Sequence, residues 1–401
     1  MINPNSQSLT LSSDVKSYIL EDEVLLFSKI QKRLYRLNEV AALIWCCFEE
    51  RMNHKAIVDF LIKTYGITQT QAQNDLQGII QTWHDAGFLE SNPIQVVSKK
   101  QIAEEAEDLF EYQITKHNHS TNYITRHYHL IDTYFQFNYS SKEIEEIIHP
   151  LLKHLESHPG DTQQIENLYV LLDKKKYLLL QGNELVDYCD EKSGLAPMIH
   201  ANILKLAYGH ADFLLAIHAG AVYKDGNCMV LPAISGSGKS TLTAALLKEG
   251  YGYCTDDMVL LSRDEHLIRP VPVSLGVKEG AWPVLSSIFP DINELPIYKR
   301  ADNKFIRYLS PPIETLPVNT EQSFSVTNVI FPKYESESSI KLTPLSSAEA
   351  LCRITEAGYD LSADLNVSLV SELIQWVSEI NCYSLEYGKL SDAITEIKKL
   401  F

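Results

Sequence analysis

The segment Leu231–Leu242 reads LPAISGSGKSTL, and its residue types suit one task, the holding of phosphate. A phosphate cradle needs backbone N–H groups converging on an anion at a helix N-terminus, with glycines where φ must be positive or the backbone must come close. Gly236 and Gly238 meet that need. Lys239 would reach the β- and γ-phosphates, and Ser240 would ligate Mg²⁺. The candidate cradle is therefore Ser235, Gly236, Ser237, Gly238, Lys239, Ser240 and Thr241. A full G-x-x-x-x-G-K-[ST] loop has a further glycine where this chain has Ala233. A Cβ is tolerated there when φ stays negative, so the loop is read as a working variant.

Such a loop works only between a strand and a helix. The flanking residues predict a strand over Ala219–Tyr223, a turn at Asp225-Gly226, a strand over Cys228–Leu231 and a helix over Lys239–Glu249. A strand over Tyr251–Thr255 then ends in Asp256-Asp257. In α/β sheets ligands sit at the carboxyl ends of strands. There one carboxylate can hold Mg²⁺ while the other takes a proton from an attacking hydroxyl. His218, at the start of the first strand, is placed to face the same crevice or simply to end a strand. Upstream, HLIDTYFQFNYS reads as a strand, SSKEIEEIIHPLLKHLES as a helix, NLYVLLDKKKYLLLQGNEL as a hairpin, and SGLAPMIHANILKLAYGHADFLLA as a helix.

The N-terminal part has a different rhythm. Strand-like runs at Tyr18–Leu20, Val24–Phe27 and Arg33–Leu37 precede a helix opened by Asn38 and a second stopped by Gly66. A third helix, opened by Thr68 or Thr70, ends at Gly87. A hairpin followed by three helices is a winged-helix order. Leu37-Asn38, Ile44-Trp45, Tyr65, Asp75 and Gly87-Phe88-Leu89 resemble the PqqD-like peptide-binding domain, the RiPP recognition element of peptide-modifying enzymes. That resemblance implies an unstructured leader peptide adding a strand to the sheet edge. The alternatives are a purely structural winged helix and a DNA reader. The stretch that follows begins with proline and turns polar, as linkers do. His117, His119, His127 and His129 within it could suit a metal, but no cysteine or carboxylate stands at ligand spacing, and a solvated loop is the simpler reading.

His218-Ala219-Gly220, SGSGKST and Thr255-Asp256-Asp257 together resemble the catalytic domain of HPr kinase/phosphorylase, and more closely its stand-alone relatives in peptide-modification systems, some of which phosphorylate a serine of lasso-peptide precursors. Pro270-Val271-Pro272, Ser274-Leu275 and Asn328–Tyr334 fit those relatives too. The resemblance implies Asp256 as general base, Asp257 and Ser240 near Mg²⁺, Lys239 on the transferring phosphate and His218 as support. The Glu-x-Arg-Gly signature of HPr kinase itself is absent, and Gly276–Gly280 stands there, with Lys278 as a candidate for the missing positive charge. Lys333 and Arg353 are weaker basic candidates.

The expected architecture is thus an α/β P-loop kinase domain, HPr kinase-like, over 126–401, preceded by a small winged-helix α+β domain over 1–95 and a linker over 96–125. ATP and Mg²⁺ are the expected cofactors, and a precursor or leader peptide, or a small protein, is the expected partner, with a homo-oligomer left open. Two alternatives stay open: a kinase for a small-molecule hydroxyl, and a nucleotide-sensing adaptor without transfer. The formal net charge of −17 disfavours nucleic acid, since no basic stripe offsets it. Of the seven cysteines, Cys46 and Cys47 are adjacent and the other five are scattered, and none forms a C-x-x-C pair, the usage of a reducing compartment. With no signal-peptide pattern and no apolar run near the roughly 18 residues of a membrane helix, a cytoplasmic, membrane-free location is expected.

Overall fold

The structure is a computed structural model that describes residues 10–89, 122–160, 165–234, 236–319, 322–361 and 365–401. They group into two compact units, one drawn from Met1–Ser120 with Leu365–Ile374 and the other from Thr121–Asp364 with Gln375–Phe401. Among the described residues no helix is long and apolar enough to cross a membrane.

In the first unit β1 (Val15–Leu20), β2 (Glu23–Ser28) and β3 (Arg33–Arg36) form an antiparallel sheet in that order. Helix α1 (Glu39–Glu49) opens at Asn38, whose Oδ1 accepts the Ala41 N–H at 2.8 Å. Asn53 caps α2 (His54–Tyr65) and Thr68 caps α3 (Gln69–Asp85) in the same way. Each such cap contributes about 1 kcal/mol to helix stability. Gly66 ends α2 in the left-handed region at φ 66°, where a side chain would be strained. The apolar faces meet around Trp45 and Trp83, packed edge to face at 5.1 Å. Residues far along the chain join this unit: Tyr18 Oη donates to the Val367 carbonyl at 3.1 Å, and Lys32 Nζ to the Leu365 carbonyl at 3.2 Å.

The second unit opens with β4 (Ile124–Leu130), β5 (Thr133–Tyr139), α4 (Lys142–Leu152), β6 (Ile165–Asp173), β7 (Lys176–Gln181) and β8 (Glu184–Cys189). The strands form one sheet in sequence order, antiparallel except between β5 and β6. The single strand expected through HLIDTYFQFNYS is a hairpin that turns at Ile131, with φ 58°. His127 and His129 lie on β4 and not in a solvated loop, because they alternate with buried Tyr128 and Leu130 in the two-residue period of a strand. The His127 ring meets Gln136 Oε1 at 3.2 Å, and His129 stacks on Tyr134 at 4.1 Å. His117 and His119 fall outside the described residues. Among the described residues no group of three or more His, Cys, Asp and Glu is placed to hold a metal.

Helix α5 (Lys192–His210) stops earlier than expected, and Leu215 already opens β9 (Leu215–Lys224). The run FLLAI carries no period that separates helix from buried strand, so the boundary could not be read locally. Then follow β10 (Asn227–Pro232), α6 (Lys239–Lys248), β11 (Gly252–Thr255), β12 (Met258–Leu261), β13 (Leu267–Arg269), β14 (Leu275–Lys278), α7 (Trp282–Leu285), β15 (Tyr298–Lys299) and β16 (Phe305–Leu309). The chain closes with β17 (Phe324–Tyr334), β18 (Lys341–Pro344), α8 (Ser347–Ala357), β19 (Tyr359–Leu361), α9 (Val367–Ser378), β20 (Asn381–Tyr387) and α10 (Leu390–Ile397). A large mixed sheet runs β10-β9-β12-β13-β17-β20-β18, with β11 and β19 also on β9. Strand β17 pairs parallel with both β10 and β20, which brings the carboxyl ends of three strands side by side. A small sheet, β14-β16-β15, stands beside it.

Two histidines, His154 half-buried and His200 buried, pin the segment leading into β14. His154 Nε2 meets the Pro272 carbonyl at 2.6 Å, and His200 Nε2 meets the Ser274 carbonyl at 3.1 Å. Burial lowers the pKa of both, that of His154 to about 4, and His154 Nδ1 is buried without a hydrogen-bond partner among the described residues. A folded-state pKa below the unfolded value of 6.5 favours the neutral ring, so this stability is present above pH 6.5 and falls as pH drops towards 4. His154 is expected to cost on the order of 2–3 kcal/mol across that window. Melting curves from pH 8 to 4.5 should show a loss that His154→Gln reduces; parallel curves for the two proteins would count against this assignment.

Candidate functional site

The glycine loop joins the end of β10 to α6, and backbone chemistry shapes it first. Gly236 and Gly238 have φ of 96° and 91°, in the left-handed region that side chains avoid. A Cβ on Gly238 would also lie 2.4 Å from Tyr387 Oη and 3.1 Å from Tyr334 Cβ, so that position is closed to other residues twice over. Gly238 is the N-cap of α6, and no side chain caps the helix among the described residues. Its first N–H groups are therefore left for an anion, with the helix dipole adding its positive end.

Strand β9 lies against this helix because Gly220 has no side chain. A Cβ there would come within 2.5 Å of Thr243 Oγ1 and 3.4 Å of both Asp256 Oδ1 and Lys239 Cγ. The glycine of His218-Ala219-Gly220 thus lets the lysine, the aspartate and the helix share one place. Asp256 and Asp257 occupy the turn between β11 and β12, and Met258 pairs with His218 in register.

These residues line one cavity of about 510 Å³: His218, Gly236, Gly238, Lys239, Ser240, Thr241, Asp256, Asp257 and Lys278. Ser235 lies outside the described residues. Ser237 does not line the cavity; its carbonyl accepts the Tyr334 N–H at 3.0 Å, and its Oγ is buried without a partner among the described residues. Lys333 and Arg353 are also away from the cavity and pair with Glu335 and Glu349, at 2.7 and 2.6 Å.

The electrostatics separate the two adjacent aspartates. Lys239 Nζ donates to the Asp256 backbone carbonyl and lies 3.6 Å from Asp256 Oδ1. Burial pushes the Asp256 carboxyl up, against the Lys239 charge and a hydrogen bond with Ser240, and the net shift is upward. Burial acts on Asp257 in the same direction, but the His218 hydrogen bond and the charges of His200, Lys239 and His218 outweigh it and hold Asp257 below the usual carboxylate range. His218 Nδ1 lies 3.3 Å from Asp257 Oδ1. Neighbouring carboxyls pushed apart in this way can divide proton transfer and ion binding between them.

The donors Ser240, Asp256 and Asp257 are all oxygen, the set that suits Mg²⁺. Asp256 Oδ1 is buried with no hydrogen-bond partner among the described residues, a costly arrangement that a bound cation or substrate hydroxyl would relieve. Burial and the charges of Arg300, Lys304 and Lys239 lower the pKa of Lys278, so this wall of the cavity is rich in positive charge.

Several lining residues escaped the sequence reading. Arg300 follows β15, His200 comes from α5, Tyr308 from β16, and Tyr334 and Tyr387 end β17 and β20. Only Tyr334 lay within a segment already singled out.

A family model described as Coenzyme PQQ synthesis protein D (PqqD) matches residues 23–89. Those residues are a PqqD domain, the type known as a RiPP recognition element. Among solved structures, "TbiB1 in Complex with the TbiA(beta) Leader Peptide" is 25% identical over 21% of this chain and 98% of its own, with a TM-score of 0.20. "Structure of the Hpr(Ser) kinase/phosphatase from Coxiella burnetii" is 12% identical over 46% of this chain and 92% of its own, with a TM-score of 0.21. No curated protein sequence matches the chain significantly.

Proposed function

We propose that the chain is an ATP-dependent kinase that moves the γ-phosphate to a hydroxyl, a serine in the first instance, of a peptide docked on its PqqD domain. One observation carries the reading. An uncapped helix N-terminus behind two positive-φ glycines, a lysine, and two aspartates with oppositely shifted pKa values all open into one cavity. The P-loop, Gly236–Thr241, holds the phosphates through its N–H groups, and Lys239 faces the transferring phosphate. Asp257, held ionised, and Ser240 are the residues that would hold Mg²⁺, which neutralises charge on the phosphate oxygens when bound. Asp256 takes the proton from the attacking hydroxyl, a role that its raised pKa suits. His218 holds Asp257 in place.

The PqqD domain supplies the acceptor. Its three-stranded sheet has two outer strands, β1 and β3, and an extended leader can add to such an edge through backbone hydrogen bonds. Recruitment by the leader lets the cavity bind the reacting hydroxyl weakly, because positioning provides most of the rate in phosphoryl transfer. The chain acts where such peptides are made, in the cytoplasm.

The test measures ADP release by the intact protein with Mg-ATP, in the presence of small peptides encoded beside its gene and, separately, of small hydroxyl compounds. Stimulation by a peptide is expected. Stimulation only by a small molecule would make the chain a small-molecule kinase, and ATP binding with no turnover would make it a nucleotide-sensing adaptor.

A further inference from the structure

We propose that Tyr334 is the platform on which the base of the nucleotide stacks, and that the site grips this base without reading its edges. The inference rests on the nucleotide-binding reading above and extends it to which nucleotides are taken. Tyr334 ends β17, which pairs in parallel with β10, the strand from which the glycine loop springs. Its N–H donates to the Ser237 carbonyl at 3.0 Å, and its Cβ would stand 3.1 Å from a Cβ on Gly238. The root of the side chain is therefore fixed to the phosphate loop, while the residue stays 46% exposed and lines the cavity. Behind it stands the buried Tyr387, with ring centroids 5.6 Å apart and its Oη 3.5 Å from the Gly238 carbonyl.

The chemistry of the cavity is divided by element. Its acidic, basic and histidine side chains come from α5, β9, α6, the Asp256-Asp257 turn, β14 and the residue after β15. The ends of β17 and β20 and the start of α10 contribute Tyr334, Tyr387, Gly388 and Leu390, none of them charged. An uncharged aromatic wall rooted on a phosphate loop fits the flat, apolar part of a nucleotide, whose base offers a π-face whatever its identity. Asn, Gln, Arg and Lys, the side chains that pair with adenine or guanine edges, are absent from the described lining residues of this wall. The wall therefore holds a base by its face, and ATP and GTP are expected to bind alike.

Calorimetric titration of the intact protein with Mg-ATP, Mg-GTP and Mg-tripolyphosphate tests this. Tyr334→Ala is expected to weaken ATP and GTP by about 5- to 150-fold and to leave tripolyphosphate unchanged. Tyr334→Phe should bind like the wild type, and ATP and GTP should agree within about tenfold. Unchanged ATP affinity in Tyr334→Ala, or a parallel loss for tripolyphosphate, would overturn the platform, and a larger gap between ATP and GTP would overturn face-only recognition. If the wild type binds tripolyphosphate but gains nothing from a base, the phosphate site stands and the platform falls. If it binds none of the three, the nucleotide reading falls first.

Discussion

Asp256→Asn is expected to lower the rate of phosphoryl transfer by about 10²- to 10⁴-fold, the range of a positioned general base, while Mg-ATP binds as well as before or better. Volume and shape are conserved, so no cavity opens. The bond from Lys239 Nζ goes to the backbone carbonyl of residue 256 and survives the change. What disappears is the proton-accepting oxygen, and with it a negative charge near the phosphates. The effect should fall on kcat and leave the KM for ATP nearly unchanged, the signature of an interaction made in the transition state. Asp257→Asn should behave differently and raise the Mg²⁺ concentration needed for half-maximal rate. If Asp256→Asn kept its rate within tenfold of wild type, the two aspartates would have been assigned the wrong way round.

The second large effect concerns the acceptor. A peptide carrying the reacting serine but severed from its leader is expected to be about 10²- to 10⁴-fold poorer in kcat/KM than the intact precursor, because tethering alone raises its local concentration by that order. Free leader added in excess should inhibit the intact precursor and have no effect on the severed acceptor. The whole chain is required for this comparison. Leu365–Ile374 belong to the unit that contains the PqqD domain, through Tyr18 with Val367 and Lys32 with Leu365. Truncation at residue 95 would strip these partners away and confound docking with folding. Equal kcat/KM for tethered and severed peptides would leave the PqqD domain without a part in catalysis.

What could be read in advance was what is local. Asn38, Gly66, the glycine loop and the aspartate pair declare themselves within a few residues, since caps, positive φ and phosphate chemistry constrain adjacent positions. Tyr334 and Tyr387 reach the loop only because β10, β17 and β20 pair in parallel across long sequence separations. Arg300 follows a strand of two residues and Tyr308 lies in one of five, both too short to show a period. The hairpin at Ile131 was hidden by a turn made without glycine, asparagine or proline at the left-handed position. The same rule explains Gly220, legible as part of a motif but not as the gap that admits Thr243, Lys239 and Asp256.

The most direct measurement follows the γ-phosphate itself. Intact protein is incubated with Mg²⁺, ATP labelled at that phosphate and a full precursor peptide encoded beside its gene, and the label is located by fragmenting the peptide. Label on a serine of the peptide, lost in Asp256→Asn, is the predicted result. Label that remains on ATP or passes only to water, with the peptide bound, would contradict peptide phosphorylation and leave a nucleotide-binding peptide adaptor in its place.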